Sequence, residues 1–166
     1  MKTLNIAIVI VSDTRTDETD KSGHKLIELI NKDGHKIISK EIVKDNIYEV
    51  RSSLSNFILD KEIDVIITSG GTGITGSDGT PEAVVPLLDK TIEGFGEIFR
   101  QKSYENIKTS SLQTRALAGV ANKTFIFVLP GSIDACKTAW IEIISHQLNS
   151  DTKPCNLVML MPRLDE

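Results

Sequence analysis

The sequence is most informative first in what it holds little of. It has only two cysteines, Cys136 and Cys155, far apart and with no CxxC neighbour. That is too few for a disulfide scaffold, and it predicts free thiols in a reducing cytoplasm. The three histidines, His24, His35 and His146, share no metal-ligand spacing and are expected at surface or packing positions. Apolar runs are short. The first, residues 6–11, runs into Ser12-Asp13 without a small-residue cleavage site, so neither a secretory signal nor a membrane partner is expected. No segment approaches the ~18 apolar residues of a membrane span. Positive charge is also short: the net charge is −4 and the sequence pI about 5.4. Without a basic face, a nucleic-acid partner is disfavoured.

What is present is an ordinary globular composition, 40% apolar and 25% charged over 166 residues, the size of one domain (1–166). Residues 5–11 are apolar and β-branched and predict a strand buried on both faces. Asp20 or Ser22 starts a helix striped by Leu26, Ile27, Leu29 and Ile30, and Gly34 ends it. Residues 35–43 read as a second strand. Asn46 caps a helix carrying Val50, Leu54, Phe57 and Ile58. Residues 64–68 form the third strand, and Thr80-Pro81-Glu82 is a helix start with Thr80 as cap. Gly94 and Gly96 break the next pattern, and 99–117 read as two short helices. Residues 124–129 are a fourth strand, 135–148 a final long helix, and 156–161 an edge strand. Strands alternating with helices predict an α/β fold with a mostly parallel sheet and helices on both faces. In such sheets ligands bind beyond the carboxyl ends of the strands. Ser12-Asp13-Thr14, Asp45-Asn46, the glycine-rich turn after residue 68 and Pro130-Gly131-Ser132 all belong there.

The turn, TSGGTGITGSDGTPEAV (68–84), is the most distinctive stretch. Gly71 to Gly76 matches GxGxxG, but the helix start lies beyond Gly76 and the strand is the third, which argues against a dinucleotide site. A P-loop needs Lys-Ser/Thr where Ser77-Asp78 stands. Glycines let backbone N–H groups approach ligand oxygens. An aspartate among them repels bare phosphate unless a divalent cation lies between. Asp78 therefore points to a metal–nucleotide complex or to general-base work, or else is a solvated loop acid. Asp45 has two readings, a turn residue beside Asn46 or a second carboxylate on the same crevice, ending a strand next to that of Asp78. Asp13 has a similar claim.

IVKDN (42–46), the turn itself, EGFGEIFR (93–100), LQTRALAGVANKT (112–124) and LPGS (129–132) stand in an order that resembles the molybdenum cofactor biosynthesis family. The resemblance implies a three-layer α/β/α sandwich that binds molybdopterin. It also implies molybdopterin adenylyltransferase activity, the transfer of AMP from Mg-ATP to molybdopterin with release of pyrophosphate. Mg²⁺, ATP and molybdopterin are then the expected cofactor and partners, with a homo-oligomer, trimer or hexamer. By the same resemblance Asp45 and Asp78 are catalytic and metal-positioning acids, and Ser12 belongs to the substrate site. Ser69, Gly70, Gly71, Thr72 and Gly73 match the pterin-phosphate loop, and Thr80, Pro81 and Glu82 the helix start beside it. Arg115 matches a recurring basic position, a phosphate contact or a surface ion pair. Pro130, Gly131 and Ser132 match the last ligand-side turn, where Ser132 donates to phosphate or caps a helix. The loop Ile74–Ser77 departs from the pattern in being small and uncharged. A non-catalytic carrier and an assembly protein are the alternatives, and Phe95, Phe99 and Tyr104 are the expected subunit contact.

Overall fold

The computed structural model describes residues 1–165. Its first strand, β1 (Asn5–Val11), explains the rest of the layering. Ile6, Ile8 and Ile10 pack into one apolar cluster, and Ala7, Val9 and Val11 into another. A strand reads as a continuous apolar run when both faces are covered. The first cluster takes in Leu26, Leu29 and Ile30 of α1 (Lys21–Lys32), Phe95 and Phe99 of α4 (Glu93–Ile107), and Cys136 and Ala139 of α5 (Ile133–Ala139). The second takes in Val50, Leu54 and Phe57 of α2 (Ile47–Leu59) with Ala83 and Val84 of α3 (Thr80–Val84). The fold is therefore α/β, with a central sheet between two helical layers.

Caps begin α1 and α2 where the sequence places them. The Asp20 carboxylate accepts the Gly23 N–H at 2.9 Å, and Asn46 Oδ1 accepts from Tyr48 and Glu49 at 2.9 and 3.2 Å. Gly34, past the end of α1, sits at φ +81°, in the left-handed region that favours glycine. The remaining strands are β2 (Lys36–Val43), β3 (Val65–Ser69), β4 (Lys90–Thr91), β5 (Leu117–Ala121) and β6 (Thr124–Leu129). Sheet order is β2-β1-β3-β6-β5-β4. The first four are parallel, and β5 runs antiparallel to both β6 and β4. After α5 the helical path continues through a π turn, Trp140–Ile144, into α6 (Ser145–Gln147). The Trp140 indole N–H donates to Asp33 Oδ2 at 2.7 Å, which satisfies the polar tip of an otherwise buried ring.

Several expectations need correction. Gly94 and Gly96 do not break a helix but lie in the first turn of α4. A Cβ on Gly96 would come within 2.7 Å of the Ala116 carbonyl oxygen, so glycine there permits close packing. Leu117 opens a strand rather than closing a helix. The tail 156–161 is not an edge strand. Asn156 Oδ1 accepts the Met159 N–H at 3.0 Å and turns the chain into a 3₁₀ segment, Val158–Arg163. Phe95 and Phe99 are core residues stacked 6.1 Å apart, so only Tyr104 of that trio is exposed. His24 and His146 are exposed, whereas His35 is buried edge-on against Trp140. Among the described residues no helix is long and apolar enough to cross a membrane.

Candidate functional site

The carboxyl ends of the four parallel strands share one edge: Val11 pairs with Val43, Ile10 with Ser69, and Ser69 with Leu129. From β1 the chain goes to β2 on one side and later to β3 on the other. That reversal opens a crevice between the ends of β1 and β3, the usual ligand position in open α/β sheets. The glycine turn leaves β3 at this point. Gly70 has φ +114° and Gly71 φ +68°. A Cβ on Gly70 would lie 2.2 Å from the Val11 carbonyl oxygen, so the turn crosses directly over the end of β1. Gly70 N–H donates to Leu129 O at 2.9 Å, and a Cβ on Gly131 would sit 3.3 Å from the Gly70 Cα. Three loops are thus in mutual contact.

Thr80 is not the helix cap, since Gly79 takes that position. The buried Thr80 hydroxyl instead donates to Gly70 O at 2.8 Å, and Thr80 N–H donates to Gly71 O at 3.0 Å. Pro81 is buried beside it. The start of α3 therefore holds the glycine turn in shape.

The two acids flank that turn. A Cβ on Gly71 would come within 3.1 Å of Asp45 Oδ1, and one on Gly73 within 2.5 Å of Asp78 Oδ2. Their strands are not neighbours, because β1 lies between β2 and β3, yet the loops bring the two carboxylates to the same turn. Their environments differ. Asp78 Oδ2 accepts from the Thr75 hydroxyl at 2.6 Å and the Thr75 N–H at 2.9 Å. The Thr75 hydrogen bonds, with smaller help from Gly73 N–H and the Arg115 charge, hold the Asp78 carboxyl below the usual carboxylate range. Asp45 moves the other way. Burial pushes its carboxyl up, and the charges of Asp78 and Asp13 add to that, against one lowering hydrogen bond from Gly79 N–H. Asp13 also accepts the Asp45 N–H at 3.0 Å.

Arg115 is committed to the loop. Its Nε donates to Gly73 O at 2.9 Å, its Nη2 to Asp78 O at 3.0 Å, and its Nη1 pairs with Glu82. Its backbone N–H donates to Thr72 O at 3.1 Å. Of the two roles open for Arg115, the ion pair is what the structure shows, extended into a clip on the glycine turn. Arg115→Ala is expected to lower stability by roughly 1–2 kcal/mol. It should also speed hydrogen exchange at the amides of residues 73–79, read by mass spectrometry; unchanged exchange there would contradict the clip.

A cleft of about 560 Å³ lies over this turn. Its wall includes Ser69–Gly73, Asp78 and Pro130–Ser132. Ser12, Asp45, Thr80, Pro81, Glu82 and Arg115 are not among its lining residues, although the Asp45 carboxylate lies beside Gly71 at its edge. Ser12 Oγ accepts from Thr14 and Arg15 N–H at 3.3 and 3.1 Å, which fixes the turn after β1. Ser132 caps α5 by accepting the Ala135 N–H at 3.1 Å, and it faces the cleft as well. Sequence reasoning missed Arg15, Ser22, Ser110, Gln113 and Thr114 in the wall. Thr114 has a buried hydroxyl without a hydrogen-bond partner among the described residues.

Beneath Ser69 lies Cys136, whose Sγ is 3.4 Å from Ser69 Oγ. Burial pushes its thiol up to about 11, so it packs rather than reacts. Iodoacetamide at pH 8 is expected to label exposed Cys155 and leave Cys136 untouched until denaturant is added; a peptide map showing both labelled in the native protein would contradict this.

This geometry has close counterparts. Residues 7–150 match the family model described as a probable molybdopterin binding domain. The chain is 51% identical over 151 residues to molybdenum cofactor biosynthesis protein B of Escherichia coli strain K12, covering 91% of this chain and 89% of that one. The chain belongs to the molybdenum cofactor biosynthesis family. A crystal structure of a molybdenum cofactor biosynthesis protein B superposes with a TM-score of 0.86 at 44% identity, over 89% of this chain and 92% of the other. A tungsten cofactor synthesizing protein from Pyrococcus furiosus superposes with a TM-score of 0.76 at 38% identity, over 86% and 91%. Both therefore share the fold on which the glycine turn is mounted here.

Proposed function

We propose that this protein is a molybdopterin adenylyltransferase, with its substrates meeting in the cleft over the glycine turn. The observation that carries the proposal is the turn itself. It presents backbone with no Cβ at Gly70, Gly71 and Gly73, at the end of β3, with a carboxylate on either flank. Such a backbone can donate N–H groups to phosphate oxygens, while the two acids make no sense for bare phosphate alone.

The acids fit a magnesium–nucleotide complex. Among the described residues no group of three acidic, histidine or cysteine side chains could cage a metal. Mg²⁺ commonly uses only one or two carboxylates, with waters and substrate phosphates completing its shell. Asp45 and Asp78 would supply those carboxylates, and Asp45, pushed up by burial and like charge, is the one that a cation would relieve. Bound there, the ion would neutralise phosphate charge.

In the reaction, an oxygen of the terminal phosphate of molybdopterin attacks the α-phosphorus of ATP. The new P–O–P bond forms as the bond to the β-phosphate breaks, and pyrophosphate leaves. Such transfers depend mostly on positioning and charge stabilisation. Gly70 N–H is taken by Leu129 O and Gly73 N–H by the Asp78 carboxylate, so the Gly71 and Thr72 amides are the ones that would orient phosphate oxygens. Thr80 and Arg115 keep the turn rigid through their bonds to Gly70, Gly73 and Asp78 carbonyls. Ser132, whose oxygen already accepts from Ala135, keeps its hydroxyl hydrogen free to donate to phosphate.

One observation favours a carrier that holds molybdopterin without adenylylating it: Asp78 is already engaged by Thr75, as a purely structural turn acid would be. A pyrophosphate-release assay with molybdopterin and Mg-ATP separates the two. Wild type is expected to turn over and Asp78→Asn to lose about 100-fold or more. Equal rates would remove Asp78 from the chemistry. We propose in addition a trimer or hexamer, to be read by light scattering, using surface such as Ile98, Tyr104 and Ile141 rather than the buried Phe95 and Phe99.

A further inference from the structure

A cleft built for phosphate normally needs positive charge, and residues 70–78 contain neither lysine nor arginine. Arg115 gives three of its five guanidinium donors to Gly73, Asp78 and Glu82 and does not line the cleft. Among the residues that form the cleft wall, the one cation is Arg15.

Arg15 has a side chain about one-third exposed, steered by one hydrogen bond and one long ion pair. Its backbone N–H donates to Ser12 Oγ at 3.1 Å, which fixes the turn after β1. Its Nη2 donates to Gly131 O at 3.3 Å, reaching across the cleft rim to the loop after β6. Its Nη1 lies 4.0 Å from Asp20 Oδ1. Asp20 is fully buried and anchored in turn: Ser22 Oγ donates to it at 3.1 Å, Gly23 N–H at 2.9 Å, and Lys40 Nζ lies 2.9 Å from Oδ2. A buried carboxylate is costly unless it is paired and hydrogen-bonded, as this one is. A guanidinium has five N–H donors, and these contacts leave Arg15 with several to offer a ligand in the cleft.

We propose that Arg15 contacts a phosphate of the ligand seated on the Gly70–Gly73 turn, and that buried Asp20 is its positioning residue. The shared chemistry is a phosphate oxyanion, carried either by the terminal phosphate of the pterin or by the nucleotide. This rests on the reading of the cleft as the site of adenylyl transfer, but it can be tested apart from that reading.

The test is calorimetric titration of wild type, Arg15→Ala and Arg15→Lys with three probes. These are inorganic pyrophosphate, molybdopterin, and the Mg²⁺ complex of an ATP analogue with a methylene group between its α- and β-phosphorus. Arg15→Ala is expected to weaken pyrophosphate binding by at least about 10-fold, and Arg15→Lys to recover part of the loss. A matching loss with molybdopterin alone assigns the contact to the pterin phosphate; a loss with the analogue alone assigns it to the nucleotide. Equal affinities of wild type and Arg15→Ala for all three probes would overturn the proposal. So would a wild type that binds none of them. Arg15-dependent pyrophosphate binding without affinity for molybdopterin or the analogue would sustain Arg15 and sink the adenylyltransferase reading instead.

Asp20 is tested by a double-mutant cycle. Asp20→Asn should weaken the phosphate-bearing probe in the wild-type background and add no loss in the Arg15→Ala background. Losses that simply add would show that Asp20 acts on the fold at large. Because Ser22, Gly23 and Lys40 still pair with Asp20 in Arg15→Ala, its folded state should survive, which a thermal melt confirms.

Discussion

Gly70→Ala is expected to lower stability by roughly 2–4 kcal/mol and to abolish phosphate-ligand binding. Two independent facts combine at this position. The residue sits at φ +114°, and its new methyl would lie 2.2 Å from the Val11 carbonyl oxygen. That oxygen belongs to β1, the centre of the parallel sheet, and cannot yield without disturbing the core. The turn must therefore lift, and with it Gly71, the Thr80 bond to Gly70 O and the contact with Gly131. Gly76→Ala is the matched control. A Cβ there meets no atom within 4 Å, and its cost should stay within about 0.5 kcal/mol. Urea denaturation of the two variants decides the matter. Equal midpoints would show that the turn is not pinned to β1.

Asp45→Asn is expected to stabilise the protein slightly while reducing adenylyl transfer by about 100-fold or more. The sign follows from the raised carboxyl. Burial, and then the Asp78 and Asp13 charges, push it above its ordinary value of 3.8. An acid raised on folding contributes stability below its unfolded value and loses it as pH rises through the folded one. At neutral pH the ionised Asp45 is therefore a small burden, a few tenths of a kcal/mol after solvent screening. Asparagine removes that burden, so the variant should melt higher than wild type near pH 7, and the two should converge at pH values below 3.8. A variant that melts lower at neutral pH, or that retains full transfer activity, would contradict the role given to Asp45.

Much of this architecture is legible in the sequence because local chemistry and global packing agree. β1, β3 and β6 are apolar runs with no alternation, and each is covered on both faces. Asp20, Asn46 and Gly34 mark helix ends by side-chain hydrogen bonding or positive φ, both local properties. The glycine turn is visible because glycine is the one residue that tolerates its backbone. What was not legible depends on neighbours far along the chain. β5, with the sequence LAGVA, looks unlike a strand because Gly119 must be small: a Cβ there would meet Leu88 Cδ1 and Lys90 O, each at 2.6 Å. Strand order is not written in any segment, so the sequence suggests adjacent strands for Asp45 and Asp78 where β1 separates them. Thr80 has the residue type of a cap, but its hydroxyl is recruited by a carbonyl ten positions earlier. Arg15 carries no signature of its own. It looks like one polar residue in a polar turn until Asp20 and Gly131 are folded around it.

Transfer of AMP to molybdopterin in the cleft over Gly70–Gly73 is the proposed reaction. Its most direct test is a single-turnover reaction with ATP labelled at the α-phosphorus, in the presence of Mg²⁺ and molybdopterin, with the products separated chromatographically. The label is expected to move into a pterin–adenylate as pyrophosphate appears in equal amount, with no transfer when molybdopterin or Mg²⁺ is omitted. Bound molybdopterin with all of the label still in ATP would contradict the claim and leave a carrier in its place.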